Sequence, residues 1–137
     1  MELIGLKLAL RDFCQQVSKQ HQIRIQFSVD NELPNPASEV SLCFYRVAQE
    51  AVQNSVKHSG SDCIEVGLAF SHGMLTMTIK DYGSGFDSSS LKNGLGLATM
   101  RERLRLVEGT LIVDSKPGNG TEVRAQVPMS ASARQSA

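Results

Sequence analysis

Two polar residues one helical turn apart, Glu50 and Asn54, could hold a metal ion together. They lie in a segment from Ser38 to about Lys57 whose apolar residues recur at helical spacing, which predicts a long helix. Residues four apart are neighbours on one helix flank. An amide oxygen beside a carboxylate suits Mg²⁺, which keeps most of its waters and takes further ligands from phosphates. Polar stripes are also common on solvated helix faces, so the pair alone does not establish a site.

A second candidate is the carboxylate of Asp81, which opens the sequence Asp-Tyr-Gly-Ser-Gly. Alternating apolar residues at positions 75, 77 and 79 predict a strand with one buried face. Because Asp81 shares their parity, its carboxylate is expected on the buried side, where it needs a partner. A carboxylate can accept an exocyclic amino group such as that of adenine, and Gly83 and Gly85 would let the backbone approach a flat ring. The alternative is an Asp-led turn that binds nothing.

The apolar spacing of Leu97, Met100, Leu104 and Val107 predicts a further helix that ends at Gly109. A third candidate is the start of this helix, which is opened by Gly94, Leu95, Gly96 and Leu97. Unpaired N–H groups and the positive end of the helix dipole favour a phosphate there. The residues form no Walker loop, because no Gly-Lys-Ser/Thr follows, and no strand leads into them as a dinucleotide fingerprint requires. The alternative is a flexible loop that ends at a helix.

The elements that would position these residues follow the order helix, strand, helix, hairpin, glycine-rich loop, helix and hairpin. Residues 1–20 are expected to form an amphipathic helix, 21–128 one folded α/β domain and 129–137 a disordered tail. In the last strand, 121–127, Thr121 shares the parity of the apolar residues and is expected to face inward. This order predicts an α/β (α+β) two-layer sandwich, with a mixed, mainly antiparallel sheet covered on one face by about three helices.

The composition excludes several classes of protein. The 137 residues carry 14 basic and 14 acidic side chains, and this balance argues against nucleic-acid binding. The three cysteines form no Cys-x-x-Cys pair, which argues against a disulfide framework or a zinc module and favours a reducing cytosol. Because the apolar runs are too short to span a bilayer, we expect a soluble, cytoplasmic chain without membrane contact.

Together with the turn from Gly118 to Thr121, the order and spacing of these features resemble the ATP-binding domain of sensor histidine kinases. That domain has the Bergerat (GHKL) fold and belongs to an ATPase superfamily shared with type II topoisomerases and MutL. Residues 44–58 resemble its N-box, residues 81–85 its first glycine box and residues 94–97 its second; the resemblance covers roughly residues 6–128. The loop between the two glycine boxes is short and has no phenylalanine-rich F-box. In this respect the sequence resembles the nitrate-sensor-like subclass. Tyr82 departs from the Asn or Asp common after the first-box Asp.

The resemblance implies that residues 21–128 are the ATP-binding catalytic domain, with ATP and Mg²⁺ as ligands, and that the helix 1–20 continues from a missing dimerisation domain. Asn54 would ligate the magnesium that bridges the ATP phosphates, and Lys57 and His58 would contact phosphate. Asp81 would bind adenine, and Thr121 would support the same hydrogen-bond network.

Two further roles are implied in the same way. Glu50 would act as a base, as in the topoisomerase-like ATPases, or would only orient Asn54 or a metal-bound water. The glycines at 83, 85, 94 and 96 would shape a closing lid over the nucleotide. The nucleotide-binding residues of the two boxes would then be Gly83, Gly85, Gly94, Leu95, Gly96 and Leu97.

None of the three histidines, His21, His58 and His72, has the setting of a phosphoacceptor. We therefore expect a donor domain that passes the γ-phosphoryl group of ATP to a histidine on a separate dimerisation domain, which then phosphorylates a response regulator. On its own it would be a monomer inactive in autophosphorylation, whereas the full-length protein would be a homodimer, with or without a membrane anchor. The alternatives are a serine kinase of the anti-sigma type and a degenerate interaction domain that no longer binds nucleotide.

Overall fold

A computed structural model describes residues 5–30, 33–58, 60–85 and 96–129. Within these ranges the chain forms three helices and five strands. The helices are α1 (Gly5–His21), α2 (Ser38–His58) and α3 (Leu97–Arg105). The strands are β1 (Arg24–Val29), β2 (Cys63–Ser71), β3 (Met74–Asp81), β4 (Thr110–Ser115) and β5 (Thr121–Pro128).

The five strands form one sheet in the order β1-β2-β3-β5-β4. Strands β1 and β2 are parallel, and the other three pairs are antiparallel. A parallel pair needs a crossover connection, and α2 supplies it between β1 and β2. The predicted mixed, mainly antiparallel sheet is therefore confirmed.

The helices bury one face of the sheet. Alternate residues of β2 and β3 are buried, as the two-residue repeat predicts. Helix α2 carries an acidic residue in its first turn and Lys57 and His58 in its last, which suits the helix dipole at both ends. Its Phe44 is fully buried, and Tyr45 meets Phe13 of α1 edge to face at 6.1 Å between ring centroids. The predicted two-layer sandwich is confirmed, and α1 belongs to the same core.

Two predicted boundaries differ from the structure. Helix α3 ends at Arg105, so Val107 is buried from the following turn and not from the helix. The backbone N–H groups of Val107 and Gly109 both donate to the carbonyl of Leu104, which closes the helix early. The predicted tail begins one residue too soon, because Met129 is buried and its N–H donates to the carbonyl of Gly73 at 2.8 Å. The remaining tail, 130–137, lies outside the described residues.

Candidate nucleotide-binding site

The centre of the candidate site is the carboxylate of Asp81, at the last position of β3. In the sheet it lies between Ile64 of β2 and Thr121 of β5, and only 2% of it is exposed. This confirms the inward orientation that its parity predicts. Burial of an ionised carboxylate is costly unless hydrogen bonds compensate for the lost water, so the partners of Asp81 decide what it can do.

Two donors hold this carboxylate, one on each oxygen. The hydroxyl of Ser55 donates to Oδ2 at 2.7 Å, and the backbone N–H of Gly83 donates to Oδ1 at 3.0 Å. An ionised carboxylate offers about four acceptor positions. These two bonds therefore leave Asp81 able to accept further N–H donors, such as the amino group of a base.

Ser55 is not among the residues predicted from the sequence, although a signal for it is present there. Ser55 lies three and four residues after Val52 and Ala51, which places it on the buried arc of α2. A hydroxyl on an apolar helix face needs a partner, and the inward carboxylate of Asp81 needs a donor. Those two needs, taken together, point to the bond that the structure contains.

The predicted metal and phosphate residues lie at the same end of α2. Asn54 directly precedes Ser55, is half-buried and is engaged in an interaction. Lys57 and His58 occupy the last turn and are exposed. The carbonyl of His58 accepts a hydrogen bond from the hydroxyl of Ser84 at 3.5 Å, so the end of α2 contacts the first glycine box. The structure thus brings the N-box residues and Asp81 together.

Glu50 lies one turn earlier and faces the start of α3. Gly96 is the N-cap of that helix, and a Cβ built on it would overlap Oε1 of Glu50. The end of the Glu50 side chain could move aside, so glycine is favoured at position 96 mainly because its φ of 67° lies in the left-handed region. Leu97 begins α3, whereas Gly94 and Leu95 lie outside the described residues.

Two glycines lock the first glycine box onto the turn between β4 and β5. Gly85 has φ of 65°, and a Cβ on it would meet the carbonyl oxygens of Lys116 and Gly120. Gly120 has φ of 75°, and a Cβ there would overlap the carbonyl of Asp81. Both positions need glycine for its backbone conformation and for its lack of a side chain. The interlock places the β4–β5 turn directly against Asp81.

Thr121 closes the candidate site from the neighbouring strand. It is half-buried opposite Asp81, and its hydroxyl lies 2.7 Å from that of Ser115, its partner on β4. The Ser115 hydroxyl also donates to the carbonyl of Gly120 at 3.0 Å. Ser115 is not among the residues predicted from the sequence, because only the β4–β5 register reveals that it lies beside Thr121.

Tyr82 points away from the carboxylate of Asp81. Its phenol donates to Glu65 at 2.8 Å, and the ammonium of Lys80 lies 5.1 Å from its ring centre. The hydrogen bond to Glu65 raises the pKa of the Tyr82 phenol. Its backbone N–H donates to the hydroxyl of Ser61 at 3.2 Å. Tyr82 therefore connects the start of the first glycine box to β2, through Glu65, and to the loop before β2, through Ser61.

The fold and the geometry of these residues define a Bergerat-type α/β sandwich with a buried acid at a strand end, an asparagine on the facing helix and glycine turns beside both. Residues 39–131 match the family model described as histidine kinase-, DNA gyrase B- and HSP90-like ATPase. The chain belongs to this family of ATPases. The resemblance to the ATP-binding domain of sensor histidine kinases is confirmed.

Curated proteins similar to this chain include sensor histidine kinases. The chain is 35% identical over 134 residues to the signal transduction histidine-protein kinase/phosphatase DegS of Bacillus subtilis, covering 93% of this chain and 35% of DegS. It is 33% identical over 128 residues to the oxygen sensor histidine kinase NreB of Staphylococcus carnosus, covering 92% of this chain and 37% of NreB. The chain thus spans about a third of the length of these relatives.

Solved structures agree on the fold. The histidine kinase domain of the blue-light activated histidine kinase of Erythrobacter litoralis EL346 matches with a TM-score of 0.79 at 20% identity, covering 96% of this chain and 69% of that one. Full-length ShkA in complex with AMPPNP matches with a TM-score of 0.75 at 18% identity, covering 93% of this chain and 30% of that one. In the part of the chain that the structure describes, no helix has the length and apolar character to cross a membrane.

Proposed function

We propose that this chain binds Mg-ATP and acts as the catalytic domain of a sensor histidine kinase, donating the γ-phosphoryl group to a histidine on a separate dimerisation domain. The observation that carries the proposal is the buried carboxylate of Asp81, held on both oxygens and adjoining the N-box end of α2. Membership of the ATPase family and the sensor-kinase relatives support it.

In this proposal Asp81 recognises adenine. A carboxylate accepts hydrogen bonds but donates none, so it favours the 6-amino group of adenine over the 6-carbonyl of guanine. Burial strengthens this preference, because a misplaced carbonyl beside a desolvated carboxylate would lack compensation from water. Thr121, opposite Asp81, supports the same side of the base.

The residues present also fit a magnesium ion that is held mainly by its substrate. Among the described residues no group of three or more His, Cys, Asp or Glu side chains could enclose a metal. Mg²⁺ commonly takes one or two protein oxygens and completes its shell with water and phosphate, so the amide oxygen of Asn54 would suffice. When bound, the ion would neutralise charge on the phosphates.

The other candidate residues have proposed roles around the nucleotide. Lys57 and His58 contact phosphate, and their exposure leaves them free to do so. Glu50 acts as a base or orients Asn54 and a metal-bound water. The glycines at 83, 85, 94 and 96, with Leu95 and Leu97, surround the nucleotide. Catalysis then comes mostly from positioning the phosphates for in-line transfer.

The proposed partners follow from the phosphoryl path. The acceptor is a histidine-bearing dimerisation domain of the same protein, and the phosphoryl group then passes to a response regulator in the cytoplasm. The full-length kinase is a homodimer, whereas this chain alone is a monomer that does not phosphorylate itself. A labelled phosphohistidine formed on this chain by ATP alone would contradict the last point.

Thermal unfolding with and without Mg-ATP tests the binding proposal. A ligand at 100 times its dissociation constant adds about 2.7 kcal/mol to the free energy of unfolding. Asp81→Asn should remove most of this stabilisation, because the amide nitrogen presents a donor to the adenine amino group. Asp114→Asn is the matched control: it makes the same change at an exposed site on β4 and should keep the full shift.

The outcomes separate the alternatives. If Mg-ATP does not stabilise the wild-type chain, the degenerate interaction domain is correct. If the chain binds ATP but phosphorylates a serine of a separate protein, the anti-sigma type of kinase is correct.

A further inference from the structure

The bond between Ser55 and Asp81 joins two of the four polar side chains that are buried in the described structure. Ser55 is 7% exposed and Asp81 is 2% exposed, and the Oγ–Oδ2 distance is 2.7 Å. Solvent therefore screens this bond little, and a hydrogen bond to an ionised group is stronger than one between neutral groups.

The two donors to Asp81 come from different elements. Ser55 holds Oδ2 from α2, and the N–H of Gly83 holds Oδ1 from the turn after β3. A carboxylate held at both oxygens cannot rotate about its terminal bond without breaking one of these bonds. Its unused acceptor positions are then aimed in one fixed direction, which is how a binding group is preorganised.

We propose that Ser55 is a positioning residue for base recognition: its hydroxyl orients the Asp81 carboxylate so that a free acceptor position meets the 6-amino group of a purine. This inference rests on the proposed binding of ATP and names the side chain that sets its base preference. Because Asn54 is the next residue on α2, the same helical turn carries the base-orienting hydroxyl and the proposed metal ligand. The spacing between the base and phosphate ends of the ligand is thereby fixed by one rigid element.

A purely structural role for Ser55 makes a different prediction. If the hydroxyl only satisfies a buried acid, its removal would weaken the binding of every nucleotide alike, since the whole pocket would loosen. If it positions Asp81, its removal weakens only those ligands whose base donates to Asp81. Purine riboside triphosphate, which lacks the 6-amino group of ATP, distinguishes the two roles.

The experiment compares the affinities of ATP and purine riboside triphosphate by titration calorimetry, in the presence of Mg²⁺, for the full chain and its variants. The wild type should prefer ATP. Ser55→Ala should lower ATP affinity about tenfold, in line with loss of a hydrogen bond to a charged group, and change the affinity for the analogue less than about twofold. Ser55→Cys should behave like Ser55→Ala while keeping the side-chain volume, because a thiol is a weak donor.

Two variants serve as controls. Ser41→Ala deletes another buried hydroxyl from the same helix, fourteen residues from Ser55, and should leave both affinities within about twofold of the wild type. Ser55→Thr keeps the hydroxyl and should keep the preference for ATP. Circular dichroism and thermal unfolding verify that each variant is folded.

Three results would overturn the inference. They are an unchanged ATP affinity in Ser55→Ala, an equal loss for both ligands in Ser55→Ala and Ser55→Cys, and a preference lost in Ser55→Thr as fully as in Ser55→Ala. A wild-type chain that binds neither ligand is a separate outcome, since it refutes the proposed function itself.

Discussion

The two ends of helix α2 each bury a serine, but only one of them is bonded to an acid. At the Ser41 end (residues 38–45), the hydroxyl of Ser41 is fully buried, and its oxygen has no hydrogen-bond partner among the residues that the structure describes. At the Ser55 end (residues 50–58), the hydroxyl donates to buried Asp81. The same residue type on the same helix thus loses its water in both places, and only the Ser55 end uses its hydroxyl to hold a charge.

This difference extends to the surroundings. The Ser41 end packs against α1 through apolar and aromatic contacts, including the Phe13–Tyr45 pair. The Ser55 end makes polar contacts instead: Ser55 donates to Asp81, and the carbonyl of His58 accepts from Ser84. Its Glu50 side chain lies against Gly96, the N-cap of α3. One end of α2 therefore supplies packing and the other supplies fixed polar geometry, and substitutions at the two ends should have different consequences.

The largest effect should come from the β4–β5 turn, which lies against Asp81, the partner of Ser55. Gly120→Ala places a methyl group on the carbonyl of Asp81 at a φ of 75°, and should cost more than about 3 kcal/mol of unfolding free energy. Gly118→Ala, in the same turn with a φ of 83° and open space around it, should cost only about 1 kcal/mol, from backbone strain alone. Urea unfolding measures both values, and equal costs would mean that the close approach is unimportant.

The next largest effect should be the difference in unfolding free energy between substitutions of the two serines. Ser55→Ala should destabilise the chain by about 2 kcal/mol, because it leaves Asp81 buried with one donor fewer. Ser41→Ala should be neutral or stabilise by up to about 1 kcal/mol, because it removes a buried hydroxyl that forms no bond in the described structure. The measurement is again chemical unfolding. A Ser41→Ala variant that is as unstable as Ser55→Ala would abolish the distinction between the two ends.

Asn54→Asp should separate the contribution of phosphate binding from that of base binding at the Ser55 end. The added negative charge should lower the affinity for Mg-ATP about tenfold by repulsion of the phosphates. It should leave the affinity for adenosine, which has no phosphates, unchanged. Calorimetric titration with both ligands checks this, and a parallel loss of adenosine affinity would show that Asn54 acts on the base or the fold.

The cysteines should show the smallest effect near neutral pH. Burial raises the pKa of the thiols of Cys14 and Cys43 from 9.0 to about 11. Both thiols stay protonated in the folded and unfolded chain below about pH 8, so stability should not respond there. Above pH 9 the unfolded thiols ionise first, and the free energy of unfolding should fall as the pH rises towards 11.

The three cysteines should also differ in reactivity. Half-buried Cys63 should react with a thiol reagent at pH 8 before the buried Cys14 and Cys43.

Much of the fold could be predicted because its signals are local. Period-two runs gave β2, β3 and β5, and the helical spacing of apolar residues gave α1 and α2, since each element buries one face. The end of α3 could not be predicted in the same way. Val107 continues the apolar spacing, but the backbone bonds to Leu104 end the helix before it.

The candidate site was predictable to a different extent. The inward direction of Asp81 and the place of Asn54 on α2 could be predicted, because parity and helical spacing fix them before any partner is known. The partners Ser55 and Ser115 depend on which elements meet in space. The contact between Gly85 and the β4–β5 turn depends on two loops that lie more than thirty positions apart in the chain, a proximity that no local pattern encodes.

Helix α1 and strand β1 both precede the family match at residues 39–131, yet they complete the sheet and its covering layer. A shortened chain that began at residue 39 would turn β2 into an outermost strand with a row of bare amides and carbonyls, the kind of edge that recruits other molecules into aggregates. It would also uncover the side of α2 that α1 shields. The smallest piece worth expressing for crystallisation or ligand screening therefore begins at Gly5 or earlier, well before the family match at residue 39.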